Sequence, residues 1–228
     1  MGAGILRLAA ARLGGGELRD VVDPASPDDD WRARARAIAP ALADRLVVAH
    51  GLAVPVAVEA ARAVPPAALV LSNGPLGRVD PVTAALGRIP GLRALLAPPV
   101  WLRWLASSAG LRRAVANPYA MDRDTVAALC GPGVATPAAR RATASFLASL
   151  PGDLPDGRDL ACPVLLLWGD DDALYPAFVA SALEAAHPRA TYVAVPGGRF
   201  LHPEERPWAM ADAIARWRSE GPSATSMS

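Results

Sequence analysis

The sequence predicts an α/β fold with a mostly parallel sheet and helices on both faces. At both ends of the chain, short apolar segments alternate with segments whose apolar residues have helical spacing. Two of the short segments, Arg45–Ala49 and Pro163–Trp168, are almost continuously apolar, which is typical of parallel strands buried on both faces. With 52% hydrophobic and 20% charged residues, the chain can form a large core.

The elements of the first part follow from apolar periodicity and from turn residues. The glycines at 14–16 end the first helix, and the acidic run 28–30 favours a helix N-terminus. In chain order we predict a helix over Ile5–Leu13, a strand over Glu17–Val22, a helix over Trp31–Ala43, a strand over Arg45–Ala49, a helix over Leu52–Ala63 and a strand over Ala67–Leu71.

The last part of the chain repeats this alternation. After the strand over Pro163–Trp168 we predict a helix over Pro176–Ala186, because proline is favoured in the first turn of a helix. A strand over Thr191–Val195 and a helix over Pro207–Arg218 complete the pattern. Residues 221–228 form a polar tail.

The middle of the chain has a different pattern. Residues 75–155 contain no convincing strand, and their Ala and Leu residues recur at helical spacing between prolines. We therefore predict that residues 1–74 and 156–220 form an α/β core and that residues 75–155 are a helical cap inserted into it.

Composition excludes several function classes. The net charge is +1, which gives no electrostatic footprint for nucleic acid. All basic residues are arginine, so Schiff-base chemistry and the phosphate-loop lysine are excluded. The few cysteines and histidines are widely separated, so we predict no metal site and no cofactor.

The same sequence gives no sign of a membrane partner. No uncharged apolar run reaches 18 residues, and Arg7 and Arg12 interrupt the apolar N-terminus in a way that argues against a secretory signal. We predict a cytoplasmic protein. The sequence predicts no oligomeric state.

One segment has the pattern of a nucleophile elbow. Over Arg45–Ala61 a buried strand runs through a turn of small residues into an apolar helix, as in the G-x-S-x-G pattern. The five positions are Ala49-His50-Gly51-Leu52-Ala53. Glycine adopts the positive φ of the central position freely, so Gly51 preserves the turn but lacks a nucleophile.

Together with two later segments, this elbow resembles the α/β-hydrolase superfamily. Pro163–Pro176 is similar to the family's acid-bearing strand and loop, and Asp172 stands at the acid position. Val195–Pro207 is similar to its histidine loop, but Arg199 stands where the histidine is expected. The resemblance therefore implies a catalytic triad that keeps its acid and has lost its serine and, by this alignment, its histidine.

The resemblance also bears on the surroundings of the site. It places the family's cap at the inserted segment. It further implies that the family's first strands would precede Ile5, which leaves the Leu52 amide as the remaining oxyanion donor.

Several other residues are candidates for the site. His50 adjoins the elbow, and Ser72 and Asn73 end a strand at the edge where α/β sheets bind ligands. Trp101 and Trp104 either line the pocket or form the cap's core. The sequence shows no base associated with Ser72, so Ser72 is disfavoured as a replacement nucleophile.

Two further positions allow more than one role. Arg199 either forms an ion pair with Asp172 or binds a ligand. His202 either replaces the missing base or, as we favour, makes a surface or cap contact.

These observations favour a non-hydrolytic protein that binds a small apolar molecule or a partner between core and cap. One alternative is a lyase, cyclase or isomerase that needs no serine and uses His50, Asp172 or His202 as an acid–base group. Another is an active hydrolase with a relocated base and nucleophile. A nucleotide-binding domain is disfavoured because the glycine fingerprint is missing.

Overall fold

Among the described residues, the sheet has four parallel strands in the order in which they occur along the chain. The computed structural model describes residues 6–20, 22–96, 114–117 and 123–221. The strands are β1 (Leu46–His50), β2 (Ala68–Ser72), β3 (Val164–Gly169) and β4 (Ala190–Val195), and neighbours pair β1-β2-β3-β4. The predicted parallel α/β class is confirmed. Val47 and Val48 on β1 and Val193 on β4 lie on edge strands, because β1 and β4 are the outer strands of this sheet.

Helices connect these strands and fill the middle of the chain. Before the sheet and between its first strands lie α1 (Arg7–Arg12), α2 (Trp31–Ile38) and α3 (Ala53–Ala63). Residues 75–155 contain α4 (Pro81–Gly87), α5 (Leu92–Leu95), α6 (Arg123–Cys130) and α7 (Pro137–Ser149). The last part contains α8 (Phe178–Ala186), α9 (His202–Glu205) and α10 (Pro207–Glu220).

The two faces of the sheet carry separate apolar layers. Successive side chains of a strand point to opposite faces, so the buried strand β3 contributes to both layers. Leu166 and Trp168 belong to the cluster that includes α3, whereas Leu165 and Leu167 pack with Met210 and other residues of α10. This arrangement explains why Pro163–Trp168 is almost continuously apolar.

Two predicted elements differ from the structure. The described residues of Glu17–Val22 form no strand: Glu17 makes ion pairs with Arg19 and Arg45, and Leu18 is exposed, so the segment has no apolar face to bury. Helix α2 ends at Ile38, followed by a short 3-10 turn over Ala39–Ala41. Pro40 lacks the N–H that a continuing helix requires.

The described part of residues 75–155 is helical, with one isolated antiparallel bridge between Arg78 and Asp153. It touches the core near α9: the Leu201 N–H donates to the Ala114 carbonyl at 2.6 Å. Trp101 and Trp104 lie outside the described residues. No helix in the described ranges is long and apolar enough to cross a bilayer.

Candidate functional site

The candidate residues lie where the strands end. Gly51 follows β1, Ser72 and Asn73 lie at the end of β2, Asp172 follows β3, and Arg199 follows β4. Because all four strands are parallel, these ends lie along one edge of the sheet. Ligands of open α/β sheets bind at this edge.

The elbow turn closes tightly against the neighbouring strand end. Gly51 has φ +60°, and its N–H lies 3.2 Å from the carbonyl oxygens of both Ser72 and Asn73. A Cβ on Gly74 would lie 2.4 Å from the Gly51 carbonyl oxygen, so glycine is required there as well. Backbone contact between two strand ends thus fixes the predicted elbow.

A phenyl ring occupies the space beside the elbow centre. A Cβ added to Gly51 would lie 2.9 Å from Cζ of Phe200. The Phe200 ring lies between two other rings, with centroids 4.7 Å from His50 and 5.6 Å from Tyr175. The space into which a side chain at position 51 would project is therefore already filled, which sequence reasoning did not anticipate.

Asp172 is buried and bound by an amide. Its carboxylate accepts hydrogen bonds from Asn73 Nδ2 at 2.6 Å and from the Leu174 N–H at 2.8 Å. Asn73 Oδ1 in turn accepts from the Gly169 N–H at 2.8 Å. Burial raises the pKa of Asp172, although the hydrogen bonds from Leu174 and Asn73 oppose this shift. Asn73 is therefore the side-chain hydrogen-bond partner of Asp172.

The direct ion pair expected between Arg199 and Asp172 is not formed: Arg199 pairs with the adjacent Asp171, and only its charge acts on Asp172. Its Nε and Nη2 donate to Oδ2 of Asp171 at 2.8 and 2.7 Å, and Nη1 lies 3.4 Å from the Val115 carbonyl oxygen. Asp171 is exposed, whereas Asp172 is turned inwards to Asn73. Sequence alone could not distinguish these adjacent carboxylates.

Ser72 lies between two histidines. Its Oγ is 3.2 Å from Nδ1 of His50 and 2.9 Å from Nε2 of His202, and all three side chains are buried. This corrects two expectations: Ser72 does have imidazole partners, and His202 is a core residue rather than a surface or cap contact. The bonds join residues 22 and 130 positions apart, so no local pattern revealed them.

The surroundings of both imidazoles disfavour their protonation. Burial lowers the pKa of His50 well below its usual range, and nearby His202 lowers it further. Burial, aided by the charge of Arg206, lowers the pKa of His202 to about 3. Nε2 of His50 and Nδ1 of His202 have no hydrogen-bond partner among the described residues.

Leu52, the predicted oxyanion donor, has α-helical φ and ψ and directly precedes α3. Within the described ranges, no group of three His, Cys, Asp or Glu residues lies close enough to hold a metal ion. A groove of about 260 Å³ lies elsewhere, between β4 and α10, with Val193 and Trp217 in its lining.

Comparison with known proteins gives a clear result only at the level of structure. No family model and no curated protein matches the sequence. Among solved structures, an α/β hydrolase fold protein from Burkholderia ambifaria is similar with a TM-score of 0.65 and 20% identity, covering 82% of this chain and 73% of that one.

Two enzymes of stated activity are also similar in structure. A thermophilic esterase from Thermogutta terrifontis has a TM-score of 0.68 and 16% identity, covering 98% of this chain and 87% of its own. A haloalkane dehalogenase from Bradyrhizobium elkani has a TM-score of 0.68 and 17% identity, covering 96% and 86%. The parallel sheet, the elbow and these similarities together show that this chain has the α/β-hydrolase fold.

Proposed function

We propose that this protein does not hydrolyse esters at the elbow and instead binds a small apolar molecule between the carboxyl edge of the sheet and the helical cap of residues 75–155. The observation that carries the proposal is the Phe200 ring, which fills the space beside Gly51. A site without a nucleophile, with an aromatic ring in the nucleophile's space, cannot form an acyl-enzyme in the usual way.

The other two triad positions support the same conclusion. Asp172 accepts its side-chain hydrogen bond from Asn73, an amide that cannot serve as a base. Arg199 carries a guanidinium, which has no acceptor atom, and it is bound to Asp171. Neither residue is arranged to activate a nucleophile at position 51.

The rings around the elbow indicate the ligand class. Phe200, Tyr175 and His50 present flat, largely apolar surfaces to one another. A small apolar ligand that displaces the Phe200 side chain would be received by the same surfaces.

An esterase assay tests the catalytic half of the proposal. We expect no turnover of p-nitrophenyl butyrate above buffer by the wild-type protein, and none by Gly51→Ser, because the new hydroxyl lacks a base and meets Phe200. The triple variant Gly51→Ser, Arg199→His and Phe200→Ala should be the most active, since it restores nucleophile and base and empties the space. Wild-type turnover at a rate typical of esterases would contradict the proposal.

A binding experiment tests the other half. We expect the neutral fluorophore N-phenyl-1-naphthylamine to bind the wild-type protein and to bind Phe200→Ala more tightly, since no ring must then be displaced. Phe178→Ala is the matched control, because Phe178 is a largely exposed phenylalanine on α8. Equal affinity of Phe200→Ala and Phe178→Ala, or no binding, would contradict a ligand site beneath Phe200.

One observation favours a second candidate, a hydrolase with a relocated nucleophile. The Ser72 hydroxyl lies 2.9 Å from His202 Nε2, a distance suited to a serine–histidine dyad. Labelling by a serine-directed phosphonate distinguishes the two functions. Stoichiometric labelling of the wild-type protein that is lost in Ser72→Ala would support the hydrolase, and an unlabelled protein would support the binding function.

A further inference from the structure

The Ser72 hydroxyl constrains the protons on both of its histidine partners. A serine hydroxyl has one proton to donate and can accept from another donor. With both imidazoles neutral, the arrangement that satisfies every partner has one nitrogen donating to Oγ and the other accepting from it. A buried donor or acceptor left without a partner is costly, which disfavours other arrangements.

Two proton arrangements satisfy this rule, and they differ only in the direction in which the hydrogen bonds run. In one, His202 Nε2–H donates to Ser72 and Ser72 donates to His50 Nδ1, so both histidines are Nε2–H tautomers. In the other, His50 Nδ1–H donates to Ser72 and Ser72 donates to His202 Nε2, so both are Nδ1–H tautomers. The two rings therefore always share one tautomer, and the outer nitrogens, His50 Nε2 and His202 Nδ1, are always one donor and one acceptor.

From this geometry we propose that His50, Ser72 and His202 form a hydrogen-bonded relay, with Nε2 of His50 as the acid–base group for a flat, apolar ketone that has an acidic C–H beside its carbonyl. The proposal rests on the ligand site proposed above and adds proton transfer to it. His50 would be the catalytic residue, and Ser72 and His202 would position and tune it.

Position within the fold selects His50 as the end that meets the substrate. His50 directly precedes the elbow glycine and lies against the Phe200 ring. It retains 8% exposure, whereas Ser72 and His202 are fully buried at 0%. Displacement of the Phe200 ring would therefore uncover His50 before the other members of the relay.

The proton transfer balances without an added reagent. In the Nδ1–H arrangement, His50 Nε2 takes a proton from the carbon, the C–H electron pair forms the C=C bond of an enolate, and the C=O π pair moves to oxygen. The positive charge stays on His50, whose Nδ1–H donates to Ser72 Oγ while the Ser72 hydroxyl donates to His202 Nε2, so the buried His202 remains neutral. Nε2 of His50 then returns the proton to carbon or oxygen, which restores the neutral imidazole.

Nitrogen-15 NMR of the histidine rings tests the relay directly. The chain contains only three histidines, and His187 is an internal reference. The Arg189 N–H donates to His187 Nδ1 at 3.0 Å, and His187 Nε2 donates to the Leu160 carbonyl, which fixes its Nε2–H tautomer. We expect His50 and His202 to show the same tautomer as each other at pH 7. In Ser72→Ala this match should be lost, and opposite tautomers in the wild-type protein would overturn the relay.

Deuterium exchange into 2-indanone, a flat neutral ketone, tests the chemistry. In D₂O at pH 7 we expect the wild-type protein to speed exchange at the CH₂ groups, and we expect the acceleration to fall roughly 100-fold in His50→Gln and in Ser72→Ala. Ser181→Ala, which removes the hydroxyl of an exposed serine on α8, should keep the wild-type rate.

The outcomes separate this proposal from the binding function. Binding of 2-indanone, detected by chemical-shift changes, supports the ligand site. Exchange that also depends on His50 and Ser72 supports the relay as well. Binding without accelerated exchange overturns the relay's catalytic role and leaves the binding function standing. Exchange that Ser72→Ala leaves unchanged also overturns the relay, and absence of binding overturns both proposals.

Discussion

At the scale of single residues, Gly51 and Phe200 are complementary. Gly51 has a positive φ that side chains rarely adopt, and the absence of a side chain leaves room for the Phe200 ring. The ring is in turn held between His50 and Tyr175. Because each residue accommodates the other, restoring a side chain at position 51 disturbs the packing as well as the backbone.

A paired substitution measures this complementarity. We expect Gly91→Ala to cost about 1 kcal/mol, the backbone penalty alone, because its φ is +71° and its added Cβ would contact nothing within 4 Å. Gly51→Ala should cost more, since the Phe200 ring must also shift. Urea denaturation gives both values. The extra cost should disappear in a Phe200→Ala background, and its persistence there would show that Phe200 is not its cause.

The buried histidines predict acid sensitivity. The pKa of His202 is about 3 in the folded protein, against an ordinary value of 6.5, and that of His50 is also lowered. As the pH falls, the unfolded chain therefore binds these protons at a higher pH than the folded chain does. The free energy of unfolding consequently decreases as the pH drops below about 6.5. The slope should be about 1.4 kcal/mol per pH unit for each histidine.

Urea denaturation between pH 7 and pH 5 measures this slope. His202→Gln should flatten it, and an unchanged slope in that variant would contradict the assignment. Asp172 acts in the opposite direction, because its folded pKa is raised above 3.8 and protonation then favours the folded state. Asp172 is present in both proteins, so its contribution cancels in the comparison.

At the scale of elements, the loops after the strands hold one another by backbone contact. The end of β2 receives the Gly51 N–H, and Asn73 at that end binds both Asp172 and the Gly169 N–H. Asn73 has φ +28°, an uncommon conformation for a residue other than glycine. The strand ends are therefore joined by the buried side chain of Asn73, a residue whose backbone conformation is strained.

Gly74 tests the contact between two of these ends. A Cβ there would lie 2.4 Å from the Gly51 carbonyl oxygen and 2.5 Å from Val54 Cγ2, so β2 and α3 would have to separate. We expect Gly74→Ala to cost at least about 3 kcal/mol or to prevent folding. Gly16→Ala, whose Cβ would contact nothing within 4 Å, should be close to neutral. Equal thermal midpoints for the two variants would contradict this contact.

At the scale of the whole molecule, the sheet joins two apolar layers into one structure. Strand β3 is buried along its full length, and its side chains enter both layers. Helices α1 and α10 cover one face, and α3 and α8 contribute to the other. Loss of packing at β3 should therefore weaken the molecule as a whole.

A comparison of two leucines tests this conclusion. Leu166 on β3 is fully buried, whereas Leu95 on α5 is about half exposed. Leu166→Ala should lower the free energy of unfolding by about 2–5 kcal/mol, and Leu95→Ala should change it by less than about 1 kcal/mol. Calorimetry of both variants provides the measurement, and similar losses would argue against β3 as the shared core.

The sequence by itself determined the fold class and the central turn. Segments such as Pro163–Trp168 indicated parallel strands because burial on both faces demands continuous apolar residues. The residues Ala49-His50-Gly51-Leu52-Ala53 predicted the elbow, since small residues and a positive φ are local requirements. The described residues of Glu17–Val22 form no strand, because propensity without a partner strand and an apolar face is insufficient.

Only the tertiary structure decided what surrounds that turn. It places Ser72 beside His202, 130 positions later in the chain. It also pairs Asp172 with Asn73 by a hydrogen bond and Arg199 with Asp171 by an ion pair. It also places the Phe200 ring beside Gly51. These partners depend on which strands are neighbours and which way each side chain turns, and folding fixes both through long-range packing that local sequence patterns do not encode.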